Sequence, residues 1–259
     1  TLNYDNVAIT RYKPLDIKNL FLADNASDID NMNKLYEKTM DAMYKNVKLN
    51  GTPEQMRYLD AHAISRSQAV VLGDQLGDLL TKVTGDTRSD QIDAGIAMLK
   101  ANLAPVVVVR YAFCNDNHND NKEVRLSVEQ MNTFENLWSL LKAEGLQDEV
   151  NYATLDVFGR TFLRNTRGGR DHHNQSCVKM MIGSNIQAGV VGTLEGYSDS
   201  RIARATGINT STGLPENANI TSAETFMAYA RTVMSSIGIS EERLDVRIPN
   251  GKTVFGALK

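Results

Sequence analysis

Three of the four histidines stand beside aspartates in short polar segments. His172 and His173 end the run Gly168-Gly169-Arg170-Asp171-His172-His173, and His118 lies in Asn115-Asp116-Asn117-His118-Asn119-Asp120. Imidazole with carboxylate is the donor set that borderline divalent metals such as zinc favour. Paired glycines ahead of such a group let the backbone turn tightly and present side chains inward. Spacing alone leaves a second reading open: two solvated polar loops with incidental histidines. Asp116 and Asp120 also offer oxygen ligands for calcium, without the glycine and distal glutamate of an EF-hand loop. The fourth histidine, His62, falls inside a helical pattern and reads as a packed or surface residue.

The elements that must position these groups can be read from periodicity and caps. Ser27 caps a helix whose apolar stripe is Met32, Leu35, Tyr36, Met40 and Met43. Thr52-Pro53-Glu54-Gln55 combines a capping residue, a proline at the first helical position and a glutamine three after the cap. That predicts a long helix to about Val83, and a third covers Ser89 to about Asn102. The pattern then changes. Ala104 to Phe113, with four consecutive valines, reads as a strand buried on both faces. Ser127-Val128-Glu129-Gln130 is a capping box for a helix with inner face Val128, Met131, Phe134, Leu137, Trp138 and Leu141, ended by Gly145. Val150 to Phe158 reads as the next strand.

Strand, helix and strand at these lengths make a βαβ unit, with parallel strands and a right-handed crossover. The expected fold class is therefore α/β: a mainly parallel sheet flanked by helices, with a helical N-terminal region. We expect one domain over residues 1–259, mostly helical over 1–103 and sheet-forming over 104–259. Asp116 and His118 follow the carboxyl end of the first strand, and Asp156 lies at that of the second. A third strand, Ser176 to Ile182, follows the Asp171-His172 loop. Parallel strands deliver loops to that one edge, which is where sites form in open α/β sheets. Thr221-Ser222-Ala223-Glu224 then caps a helix through Phe226, Tyr229, Val233 and Ile237, and Asp245 to Leu258 reads as a short strand and tail.

Arg160 and Arg170 have the planar, bidentate donors that suit a phosphate or sulfate oxyanion, although such arginines also pair with neighbouring acids. His173 faces differently from His172 and is expected to support the ligands from behind. Gly183, Gly189 and Gly192 read as turn glycines, since no helix start follows them.

Bulk properties narrow the function classes. The 259 residues suffice for a full core, and 42% hydrophobic with 23% charged residues is ordinary globular composition. A net charge of −3 without a basic stretch lacks the footprint of a nucleic-acid binder. No apolar run approaches the roughly 18 residues of a membrane span. The chain starts with Thr1, which suggests a processed or truncated product that lost a targeting segment. Cys114 and Cys177 each fall near one histidine segment; a disulfide between them and two buried thiols both remain open.

Four segments in order resemble a bacterial family catalogued as domain of unknown function fifteen hundred and one, of the alkaline-phosphatase and sulfatase superfamily. Phe113 to Asn119 reads Phe-Cys-Asn-Asp-Asn-His-Asn against the family's Gly-Gly-Trp-Asp-Thr-His-Gly, keeping Asp116 and His118. Asp156-Val-Phe-Gly-Arg-Thr161 resembles Ser-Glu-Phe-Gly-Arg-Thr. Asn165 and the run Gly169 to His172 resemble Asn followed by Gly-Arg-Asp-His. Met181 to Gly192 resembles a glycine-rich strand and turn. The resemblance covers about residues 104–196.

The resemblance implies an alkaline-phosphatase-like sheet and metal ions held by Asp and His at strand ends, positioning a phosphate or sulfate ester. Asp116, His118, Asp156, Asp171 and His172 are the implied metal set, with zinc as the expected ion and manganese or calcium as substitutes. Arg160 and Arg170 are the implied anion clamp. A periplasmic or extracellular location is also implied. Departures are specific: Val157 replaces the family's Glu, with Asp156 beside it, and the tryptophan and glycines of the first segment are changed. The segment that carries the superfamily's nucleophile, before a glycine-rich stretch and an Asp-Pro-Lys run, is not found. The chain thus resembles the C-terminal portion of a larger protein, or a natural relative that lost its nucleophile; a missing N-terminal segment or self-association are the expected partners. No catalytic residue is assigned. The alternative is a non-catalytic secreted or surface structural protein on the same scaffold.

Overall fold

Thr52 opens a 29-residue helix of the computed structural model through a reciprocal cap. Its hydroxyl accepts from Gln55 N at 3.3 Å, and Gln55 Oε1 accepts from Thr52 N at 3.0 Å. These bonds satisfy donors that the first helical turn leaves orphaned. The structure describes residues 3–4, 7–8, 12–22, 27–109, 117–119, 122–156, 158–196 and 203–259. Asp116, Cys114, Val157 and residues 110–113, which follow the valine run, lie outside the described residues. The chain divides into two compact units, Thr1–Tyr111 and Ala112–Lys259.

The first unit begins with an antiparallel pair, β1 (Asn3–Tyr4) and β2 (Val7–Ala8). Among the described residues four helices follow: α1 (Pro14–Leu22), α2 (Ser27–Asn50), α3 (Pro53–Thr81) and α4 (Arg88–Lys100). Ile17, Leu76, Leu79, Leu80, Val83, Ile92 and Ile96 are buried and form its core. Lys18 Nζ donates to Val83 O at 2.6 Å, tying α1 to the end of α3. The cap of α4 is built on a buried carboxylate. Asp90 accepts from Thr84 N at 2.7 Å and Thr87 N at 2.8 Å, and also from the Thr87 hydroxyl. The Thr87 hydroxyl is the main reason that its pKa falls to about 2 despite burial, and the backbone donors add to it. Leu35, Tyr36 and Met43 of the α2 stripe are exposed. Helical periodicity marked that face without showing what covers it.

The second unit starts with α5 (Glu123–Ala143). It opens at Glu123 without a side-chain cap, so Ser127 lies one turn inside the helix rather than at its start. Glu123-Val-Arg-Leu126 continues the helical backbone, and Arg125 Nη1 meets Glu129 Oε1 at 2.6 Å one turn on. The buried face holds Gln130, Leu137 and Leu141, whereas Val128 and Met131 are exposed. Gly145 ends the helix at φ +73, with Leu146 N donating to Leu141 O and Gly145 N to Lys142 O.

Among the described residues six short strands follow: β3 (Tyr152–Ala153), β4 (Gly159–Arg160), β5 (His172–His173), β6 (Met181–Ile182), β7 (Leu194–Glu195) and β8 (Arg204–Ala205). They pair antiparallel as β3 with β6, β4 with β5, and β7 with β8. Val106 to Val109, expected in a strand buried on both faces, lie in no strand, and Val106 and Val108 are exposed. Within Val150–Phe158 only Tyr152–Ala153 is strand among the described residues, and residues 110–113 and 157 lie outside them. A 3-10 turn at Ser222–Glu224, capped by Thr221, leads into α6 (Thr225–Ser236), which Gly238 follows at φ +83. Then α7 (Glu241–Arg247) takes Asp245 into a helix, where a strand was expected. The reason is visible in the ion pairs: Asp245 and Glu241, on one helical face, both bind the buried Arg231 of α6. Ile208, Ile220, Ala228, Val254 and Ala257 form this unit's core. No helix among the described residues is long and apolar enough to cross a membrane.

Candidate functional site

The site begins with a strand register. β4 and β5 pair so that Arg160 lies opposite His172 and Gly159 opposite His173. Side chains alternate across a strand, so Arg160 and His172 share one face and His173 takes the other. Gly159 is needed there, since a Cβ would stand 2.2 Å from Ser176 O. The connecting loop extends the ladder through Thr161 N donating to Asp171 O at 3.0 Å, then turns at Gly168 with φ +86.

A short strap, Asn117 to Asn119, lies against this loop. Arg170 N donates to Asn117 O at 3.2 Å, and Asn165 Nδ2 donates to His118 O at 3.0 Å. The strap delivers His118 to Arg160 and His172. His118 Nε2 is 3.1 Å from His172 Nε2 and 3.2 Å from Arg160 Nη1, and its Nδ1 is 3.2 Å from Asp171 Oδ1. A guanidinium only donates, so His118 Nε2 must accept. This contact assigns the ring proton to Nδ1, facing the Asp171 carboxylate. Phe158 supports His172 from the side, with ring centroids 4.3 Å apart, and Arg160 lies over the same phenyl ring at 5.8 Å.

Asp171 is held in its ionised form. Its pKa is lowered first by the hydrogen bond from Asn165, then by that from His118, with the Arg167 charge adding to both. Arg167 Nη2 is 3.6 Å from Asp171 Oδ1, and Asn165 Nδ2 donates to the same oxygen at 2.8 Å.

The chain belongs to the family described as protein of unknown function (DUF1501). The family model matches residues 23–210, which includes every residue of this cluster. No curated protein and no solved structure matches the chain.

Within this DUF1501 domain the structure sorts the expected site residues. His118, Asp171, His172 and Arg160 come together. Arg170 is directed elsewhere: its guanidinium donates to Thr161 O at 2.9 Å and to Phe162 O, clipping the loop. His173 is buried on the far face and donates from Nε2 to Ala203 O. Asp156 raises the phenol pKa values of Tyr152 and Tyr229 by its charge, next to burial, the larger cause for both. Asp116 is outside the described residues, as is Cys114, while Cys177 carries a free thiol. Sequence reasoning assigned no role to Asn165, Phe158, Arg167 or Thr161. An asparagine just before a Gly-Gly turn is the one available signal among these, because such side chains cap turns.

The donor set can be tested for metal. Zinc–imidazole bonds of about 2.0–2.1 Å at a tetrahedral angle place the two nitrogens about 3.3 Å apart. The His118 and His172 Nε2 atoms, at 3.1 Å, fit one edge of that tetrahedron. Asp171 behind His118 Nδ1 is the carboxylate–imidazole support that metal-binding histidines use. Among the described residues no group of three or more His, Cys, Asp or Glu is arranged as a complete cation site.

Proposed function

We propose that this domain is the metal-binding, anion-holding part of a phosphatase- or sulfatase-like hydrolase acting in the periplasm or outside the cell. This reading includes the alkaline-phosphatase superfamily placement and its mainly parallel sheet. The observation that carries it is that His172 Nε2 and Arg160 Nη1 both meet His118 Nε2, at 3.1 and 3.2 Å. When bound, zinc would polarise an ester oxygen there. His118 and His172 would hold it by their Nε2 atoms, and Asp171 would keep the His118 lone pair facing inward. Arg160, which now donates to His118, would turn its guanidinium to the ester's oxyanion. Phe158 limits how His172 can rotate.

Elemental analysis of the purified chain after zinc loading and dialysis tests this. About one equivalent, lost in His172→Ala, is expected. Less than about a tenth of an equivalent in the native chain contradicts it.

A second reading, a non-catalytic structural protein on the same scaffold, is favoured by Thr161, whose hydroxyl bonds the backbone of Asp171 in the cluster. Thr161 Oγ1 donates to Leu163 O at 3.0 Å and accepts from Asp171 N at 3.2 Å, so it is engaged rather than poised as a nucleophile. Turnover of an aryl phosphate by the zinc-loaded chain, abolished by His118→Ala, would rule this second reading out.

A further inference from the structure

We propose that Asn165 is the positioning residue of the site: by anchoring Asp171 it holds the His118 proton on Nδ1, alongside the Arg160 donor at Nε2, and so keeps a lone pair facing His172. The inference rests on the reading of His118 and His172 as a ligand pair. It extends that reading to a residue that touches neither imidazole nitrogen.

The geometry is unusually complete for one side chain. Asn165 Nδ2 donates to Asp171 Oδ1 at 2.8 Å and to His118 O at 3.0 Å. Asn165 Oδ1 accepts from Arg167 N at 3.0 Å and Gly169 N at 3.1 Å. Two amide hydrogens and two carbonyl lone pairs are all in use. The amide orientation is fixed by these partners, since a flip would set donors against two N–H groups and an acceptor against a carboxylate. Its own backbone closes the turn, with Asn165 N donating to Gly169 O at 2.8 Å and Gly168 N to Asn165 O at 3.1 Å.

Each contact has a distinct consequence. The Oδ1 pair shapes the Arg167–Gly169 turn. The Nδ2 pair reaches across to the strap and the carboxylate together, so one amide sets the distance between the His118 backbone and Asp171. Asp171 Oδ1 receives both Asn165 Nδ2 and His118 Nδ1, which leaves the carboxylate little freedom to rotate. An exposed aspartate without that anchor would swing into solvent. His118 would then lose the acceptor that keeps its proton on Nδ1. Without that acceptor only the Arg160 donor, 3.2 Å from Nε2, still opposes the other tautomer, whose Nε2–H is closed to a metal.

The two roles separate by substitution. Asn165→Ser keeps a short oxygen that can accept from the turn donors but cannot reach Asp171. Asn165→Ala removes both sets of contacts. The probe is nitrogen-15 NMR of the imidazoles in the full, metal-free chain, joined to titration with zinc alone. In the native chain the His118 proton is expected on Nδ1. In Asn165→Ser it shifts toward Nε2, and zinc affinity falls about 10- to 100-fold, the usual effect of losing a residue that orients a ligand. Asp171→Asn, which weakens the acceptor itself, should shift the proton in the same direction.

A native His118 protonated on Nε2 overturns the inference, and needs no variant to be seen. So does Asn165→Ser with the native tautomer and native zinc affinity, because only the turn would then matter. If Asn165→Ala fails to fold, the Ser variant decides. If the native chain binds no zinc yet Asn165→Ser still moves the proton, the positioning role stands and the metal reading falls.

Discussion

Gly169 packs against Asn117 so closely that a Cβ would stand 1.9 Å from the Asn117 carbonyl oxygen. It would also lie 2.3 Å from the His118 carbonyl carbon. Both obstacles are backbone, so the strap carrying His118 would have to lift. Gly169→Ala should therefore cost about 1–3 kcal/mol in urea unfolding, the usual range for forced overpacking. It should also weaken zinc retention. Gly168 offers the control. Its φ is +86 with no atom near a Cβ, so Gly168→Ala should cost about 1–2 kcal/mol of backbone strain while the site keeps its geometry. Equal zinc retention in the two variants would contradict the strap's role.

Arg160 is the donor we expect to leave His118 for an oxyanion. Arg160→Gln should retain zinc but lower the affinity of the zinc-loaded chain for inorganic phosphate by about 10- to 100-fold, the size of one charged hydrogen-bond partner. Calorimetric titration with phosphate reads this. Unchanged phosphate affinity would return Arg160 to a structural role over Phe158.

Asp90 makes the first unit's stability depend on acid pH. Folding lowers its pKa from 3.8 to about 2, so its stabilisation is fully present above about pH 4 and is lost as pH falls toward 2. Asp90→Asn should cost about 1–2 kcal/mol at neutral pH, as a broken capping box does. The gap from the native chain should close near pH 2. Denaturant unfolding at several pH values checks this, and a gap that does not change with pH would show that the carboxylate charge is irrelevant.

What could be read from the sequence follows the range of each interaction. The Thr52–Gln55 cap is complete within four residues, so its four letters sufficed. The Ser127 box carried the same hydroxyl-to-glutamine spacing, yet Glu123 to Leu126 had already begun the helix, and a cap motif does not cancel helical residues before it. His118, Asp171, His172 and Arg160 stood out in the sequence because few residue types do metal and anion chemistry, and the fold brings these four together. Arg170 has the same guanidinium as Arg160, but the carbonyls of Thr161 and Phe162 took it, and nothing local distinguishes the two. Asp156 went the same way, acting on Tyr152 and Tyr229, which only folding brings near it. The strand pairs were hardest to read. Each is two residues long, and β4 and β5 are joined by a loop whose hydrogen bonds, not its hydrophobic pattern, set the register.

The most direct test of the central claim is a crystal soaked in zinc and measured at the zinc absorption edge. The account predicts an anomalous peak about 2.0–2.1 Å from both His118 Nε2 and His172 Nε2. Asp171 should remain on His118 Nδ1. A map with no peak there, or with zinc bound only away from these two nitrogens, would contradict it.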